Sequence, residues 1–155
     1  RQGFDPFLAA YFNIAKAVSS RMGGEHGGTI ITVVAPAANM AMAGHLGHIV
    51  GCAGTEAFTR ALAAELGTQN IRVLCLRAHA IADAVQSGSY VGTIFAAMAL
   101  AMGISVGLFL GGAAQSTLTH RLPTLAQVAD TIAFLASDAA SAMTGTTVNM
   151  PAGAP

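Results

Sequence analysis

The hydrophobic positions of this chain follow two rhythms, one of three- and four-residue steps and one of unbroken β-branched runs. Over residues 5–22, Leu8, Phe12, Ala15, Val18 and Met22 recur at helical spacing, which predicts an amphipathic helix. The Gly23-Gly24 pair ends it. Residues 29–34, Thr-Ile-Ile-Thr-Val-Val, are apolar or β-branched at both parities and predict a strand covered on both faces. A small-residue loop over 35–44 leads into a helix over 47–66 that stops at Gly67. Residues 71–76 predict a second buried strand, with Cys75 in its core. Residues 123–137 predict a helix with Leu125, Val128, Ile132 and Leu135 on one side, and residues 146–150 a last short strand. Helix, strand, helix, strand, helix, strand is the pattern of an α/β parallel sheet.

One stretch departs from both rhythms. Between Ala84 and Thr119 there is no Asp, Glu, Lys, Arg or His, and residues 91–114 are almost wholly small or apolar. The run is long enough to cross a bilayer, and Gly103, Gly107 and Gly111 fall at a spacing that lets membrane helices approach closely. Against a span, it is rich in Gly and Ala rather than Leu, lacks flanking anchors beyond Tyr90 and Arg121, and interrupts an α/β pattern. A membrane is therefore not the expected partner. Two short helices broken at Gly103, folded over a pocket or an oligomer surface, are expected, with Met98 and Met102 on one helix face.

Composition points the same way. Apolar residues make up 54% of the 155 residues and charged residues 9%, against about 25% charged in ordinary soluble domains, so an apolar surface should meet a partner. Seven Lys+Arg balance seven Asp+Glu, which leaves no basic field to follow a phosphate backbone and excludes nucleic acid as the expected partner. Cys52 and Cys75 have neither metal-type CxxC spacing nor the density of a secreted disulfide scaffold, which suits a reducing cytoplasm. The opening residues, Arg1-Gln2-Gly3-Phe4-Asp5, show no initiator Met and no leader pattern. They read as a cut end, and a longer natural chain is expected.

Three strings carry a family resemblance. They are Thr55-Glu56-Ala57-Phe58-Thr59-Arg60-Ala61-Leu62-Ala63-Ala64-Glu65-Leu66-Gly67 running on to Asn70-Ile71-Arg72-Val73; Arg121-Leu122-Pro123-Thr124 with Phe134-Leu135-Ala136-Ser137-Asp138; and Met143-Thr144-Gly145-Thr146-Thr147-Val148-Asn149. In order and spacing the chain resembles the C-terminal half of a short-chain dehydrogenase/reductase. The resemblance implies the last three strands of a Rossmann-like, doubly wound parallel sheet with flanking helices. It makes residues 1–155 a partial domain without its N-terminal dinucleotide-binding half, and places 84–119 as a substrate-lid-like segment. No GxxxGxG turn follows a strand here, so NAD or NADP is expected only together with that missing half.

The same resemblance implies a tyrosine general acid/base, a lysine four residues later that lowers its pKa, and an upstream serine that orients the substrate oxygen. Tyrosine and lysine four apart share one helix face, which lets the ammonium stabilise the phenolate. The corresponding positions here hold His48, Cys52 and Ala35, and the family's earlier asparagine falls near Phe7. By position only, His79 and Ala82 would lie beside the cofactor. The only lysine, Lys16, is expected to be a solvated surface group.

Cys52 ordinarily packs as a small hydrophobe, and histidines ordinarily satisfy local backbone groups. Beside that stand three sharper possibilities: tetrahedral zinc on His45, His48, Cys52 and His79; a His48-Cys52 nucleophilic dyad; and His48 alone as general acid/base. Glu56, Arg60 and Glu65 are expected to form exposed charge pairs. Two functions follow. One is a divergent oxidoreductase interconverting carbonyl and alcohol with NAD(P). The alternative is a catalytically inactive binding or oligomerisation module with an apolar pocket for a small apolar ligand. Its partners would be its own N-terminal half or a homo-oligomer formed through helices 5–22 and 47–66.

Overall fold

The computed structural model describes residues 5–41 and 43–154, the side chains of residues 5–7 excepted. Its centre is β2 (Ile71–Ala78), in which Val73, Leu74, Cys75 and Leu76 are all 0% exposed. The strand lies between β1 (Gly28–Val34) and β3 (Thr146–Met150), parallel to both, with Ile30 opposite Val73 and Leu76 opposite Val148. A strand covered on both faces needs apolar residues at both parities, which is why this run does not alternate.

Each face of β2 has its own helix. On one, Val73 packs with Ala63 and Leu66 of α2 (Leu46–Leu66), and Cys75 packs with Cys52 of the same helix. On the other, Leu74 meets Leu135 of α5 (Leu125–Ala136), while Leu76 and Ala78 meet Val128. Fully burying a side chain such as Leu74 or Leu135 contributes roughly 1.5–3 kcal/mol. The result is the three-stranded, helix-flanked parallel sheet of a Rossmann-like α/β fold.

Beside α2 lies α1 (Asp5–Ser19). A Cβ added at Gly54 of α2 would stand 3.0 Å from Leu8 Cδ1, so glycine is what lets the two helices meet this closely. The face α1 buries is not quite the expected one. Ala15 is buried and Tyr11 points inward, its hydroxyl donating to the Val33 carbonyl at 3.0 Å, whereas Phe12 is 55% exposed. The inward row is therefore 8, 11, 15, 18, and the helix ends at Ser19 rather than 22.

The first strand also differs from expectation. Only Thr32 and Val34 of β1 are buried, and Val33 is 40% exposed. Among the described residues β1 pairs with β2 alone, so it is an edge strand here, covered less fully than β2.

Residues 84–119 form the two helices expected, α3 (Val91–Ala101) and α4 (Val106–Gln115), whose axes turn by 91°. Gly103 sits at the turn with φ +67, a left-handed conformation that glycine adopts without steric cost. Ser105 caps α4 by accepting from the Leu108 N–H at 3.2 Å. Phe95 and Phe109 join the arms with ring centroids 6.0 Å apart. Among the described residues no single helix is long and apolar enough to cross a membrane.

The start of this segment is fixed to α5, and its end to the residues after β3, where the Thr119 N–H donates to the Ala152 carbonyl at 3.4 Å. Thr124 and Gln127 form a reciprocal capping box at the start of α5, and the Asp83 carboxylate also accepts from the Leu125 N–H, at 2.9 and 3.1 Å. At the other end of α5, Arg72 Nη1 donates to the Leu135 and Ala140 carbonyls at 2.9 and 3.1 Å, and Nη2 to the Ser137 carbonyl at 3.2 Å. The Leu135 carbonyl lies in the last turn of α5, where helix carbonyls run out of intrahelical partners, while those of Ser137 and Ala140 also accept the Ala140 and Met143 N–H groups of the turn that follows.

Candidate functional site

Parallel topology brings the C-terminal ends of all three strands to one edge of the sheet, where open α/β sheets bind their ligands. Ala35 follows the last residue of β1 and His79 the last residue of β2, with Ala82 three residues beyond. The loop after β1 delivers the start of α2 to the same edge, with His48 and Cys52 in its first two turns. Phe7 lies in α1, but its side chain is outside the described residues.

Of the predicted site residues, three come together. Cys52 Sγ lies 4.0 Å from His48 Nε2, packs against Ala35 and shares a hydrogen bond with the Ala35 backbone. Cys52 is 1% exposed, whereas His48 is exposed at the helix surface. Burial pushes the Cys52 thiol up despite the Ala35 hydrogen bond. Although the residue is exposed overall, partial desolvation of its ring, where Nε2 turns toward Cys52, and then the neighbouring His45 push the His48 imidazole down. Both shifts favour the uncharged forms. A thiolate-imidazolium pair, which nucleophilic cysteine chemistry requires, is therefore disfavoured.

The four-residue metal set does not assemble. Among the described residues no three His, Cys, Asp or Glu side chains stand together as a metal-holding group. His45 is the N-terminal flanking residue of α2 and directs Nδ1 to the Ala43 carbonyl at 3.1 Å. His79 Nδ1 accepts from the Ala80 N–H at 2.6 Å, which places the proton of its neutral form on Nε2. Burial lowers the His79 pKa as well.

Two groups near this edge were not singled out from the sequence. Tyr11 enters from α1, and burial, then the neighbouring Cys75 and Cys52, push its phenol up. Its hydroxyl is held by Val33. The second is an ion pair. Glu56, expected in an exposed charge pair, is 8% exposed and accepts two hydrogen bonds from Arg77, at 2.8 Å from Nε and 2.6 Å from Nη2. Arg77 Nη1 also donates to Asn149 Oδ1 at 2.7 Å. The pair ties α2 through β2 to β3. Helical periodicity could not reveal it, because the partner is on a strand 21 residues away.

A second concavity lies on the outward face of α1 and α2. It is an open apolar groove of about 670 Å³ lined by Leu8, Phe12, Gly54, Phe58 and Ala61 among others. It is separate from the strand ends.

An open parallel sheet with its loops gathered at the strand ends defines the Rossmann-like class of α/β protein. Residues 2–154 match the family model described as enoyl-(acyl carrier protein) reductase, and the chain belongs to that family, within the short-chain dehydrogenases/reductases. Among individual relatives, it is 30% identical over 146 residues to nodulation protein G of Azospirillum brasilense, a match covering 94% of this chain and 53% of that protein. Nodulation protein G of Rhizobium meliloti (strain 1021) is 27% identical over 149 residues, with the same coverage. The chain thus spans about half the length of the curated relatives it matches.

Solved structures agree on the fold. Sorbitol-6-phosphate 2-dehydrogenase from Erwinia amylovora superposes with a TM-score of 0.82 at 21% identity, over 95% of this chain and 56% of that one. A 7α-hydroxysteroid dehydrogenase, solved with NADH and 7-oxo glycochenodeoxycholic acid, superposes with a TM-score of 0.76 at 24% identity, over 95% and 52%.

Proposed function

We propose that this protein keeps the ligand-binding edge and helix-pair assembly face of a short-chain dehydrogenase/reductase but works without the family's tyrosine-lysine proton relay, as a binding and assembly module for a small apolar ligand. One observation carries this reading: the position expected to hold the relay's ammonium is Cys52, uncharged and 1% exposed. A buried thiol can neither hold the hydroxyls of a nicotinamide ribose nor lower the pKa of a neighbouring acid. These residues do not fit the grip on NAD or NADP that the family implies, so no hydride-transfer step is derived. The adenosine and phosphate contacts would belong to an N-terminal half paired along β1.

A second reading has its own support. His48 is exposed one helical turn before Cys52, and an imidazole with a lowered pKa is neutral and able to accept a proton near pH 7. In that reading His48 is the lone acid/base of a divergent NAD(P)-linked carbonyl/alcohol oxidoreductase.

Nicotinamide fluorescence of the whole protein, followed with NADH and NADPH and then with a panel of apolar ketones, separates the two. The module predicts no ketone-dependent oxidation and no change on His48→Gln. Turnover that His48→Gln abolishes would overturn it in favour of the second reading.

A further inference from the structure

From residue 84 to residue 129 the sequence contains no carboxylate, and its only basic groups are His120 and Arg121. Both are exposed, and they follow α4. Within this stretch the bend between α3 and α4 carries Leu100, Met102 and Leu108 at 80%, 63% and 62% exposure, with Ile94 at 46% further along the outer surface. Phe95 and Ala99, in contrast, are buried. Leu100, Met102 and Leu108 therefore face outward, while Ile104 and Val106 at the turn itself are half-buried and Phe95 and Ala99 fill the packed interior.

We propose that this elbow is a membrane-surface contact that seats its bend in the outer part of an anionic bilayer. Polarity is graded along it in the sense a bilayer requires. The bend is apolar. Thr93 and Gln115 stand toward the outer ends of the arms, and Tyr90, Thr119, His120 and Arg121, all exposed, lie beyond them. An exposed tyrosine and a basic pair at that level match the interfacial zone and the negative charge of anionic headgroups.

The dimensions match too. Arms of 11 and 10 residues are each about 15 Å long at the helical rise, near the hydrocarbon depth of one leaflet, about 15 Å. With a 91° turn between them, arms leaning equally reach roughly 10 Å below their outer ends, the depth at which interfacial helices lie. A protein partner suits this surface less well, since protein interfaces carry about one hydrogen bond per 100–200 Å². Near the bend the only side-chain hydroxyl is Ser105, whose oxygen already accepts from Leu108. This is surface insertion and not a span, so the features that count against a spanning helix do not oppose it.

Flotation of the whole protein with vesicles tests the contact. One preparation is equal parts phosphatidylcholine and phosphatidylglycerol, the other phosphatidylcholine alone. Binding to the mixed vesicles is expected, with weaker binding to the neutral ones. The double variant Leu100→Asp/Leu108→Asp should lower binding to the mixed vesicles about tenfold or more, with its circular dichroism and melting unchanged because both residues are exposed. Arg121→Gln should reduce the preference for anionic vesicles and leave neutral binding as it was. No flotation with either preparation would overturn the proposal, as would flotation indifferent to the double variant. A double variant that alters only the oligomer size in sedimentation would assign the elbow to a second copy instead.

Discussion

At the scale of single residues, the Arg77 and Glu56 charges near the C-terminal end of β2 are locked inside the protein. Arg77 is surrounded by Glu56 and Asn149 acceptors, and the ion-paired side chains are 12% and 11% exposed. Removing one member leaves the other charged and poorly solvated, which costs more than the pair itself contributes. Glu56→Gln should destabilise the protein by roughly 2–4 kcal/mol, seen as a lower urea midpoint, with the joint change Glu56→Gln/Arg77→Met recovering part of the loss. If the single variant melts like the parent, the pair is better hydrated than its geometry implies. Residue chemistry was the least legible level in the sequence. His48, Cys52 and Ala35 could be named as expected site positions, but not that Cys52 is sealed while His48 is open. Nor did the sequence suggest that Tyr11 would reach Val33. Such contacts depend on which side of a helix turns inward, and Tyr11 and Phe12 are adjacent candidates separated by about 100° of helical rotation.

At the scale of elements, the ends of the helices are where side chains from distant parts of the chain converge. Arg72 from β2 covers the carbonyls at the C-terminal end of α5, where a cation also complements the helix dipole. Arg72→Met keeps the stem and removes the donors, and should cost about 2 kcal/mol. Amide exchange should rise most in the last turn of α5, and exchange raised evenly throughout the protein would contradict a local role. Elements were well marked in the sequence because their signals are local. Gly67 follows α2, the spacing of Leu125, Val128, Ile132 and Leu135 marks α5, and Gly103 divides the apolar segment. The expectation for β1 missed because its neighbours, not its composition, decide how well Val33 is covered.

At the scale of the whole molecule, the groove along α1 and α2 is an apolar face built by two helices and left open. Phe12, at 55% exposure, and Phe58 line it, giving an outward surface of the kind that symmetric dimers cover. Phe12→Asp together with Phe58→Asp is expected to convert a dimer into a monomer in sedimentation equilibrium, with little change in melting of the monomer. A parent protein that is monomeric at every concentration would remove this assembly role. Belonging to the short-chain dehydrogenases/reductases was legible from the strings around Arg60 and Gly145, since those residues build the α2 helix and the start of β3. Which surface meets which partner was not, because apolar composition does not say which side of a helix remains outside.

The bond between Asp83 and the first amide of α5 has a consequence for engineering. It brings together the two ends of everything between residues 83 and 125, so the intervening stretch leaves and re-enters the sheet framework at nearly one point. Closing a longer or shorter loop across such a point changes the entropy only slowly with length, by about 0.6 kcal/mol per doubling. The stretch should therefore behave as an exchangeable cassette. It could be shortened to a simple turn or replaced by the equivalent piece of a relative while β2, α5 and β3 keep their register, provided that an acidic residue remains at position 83.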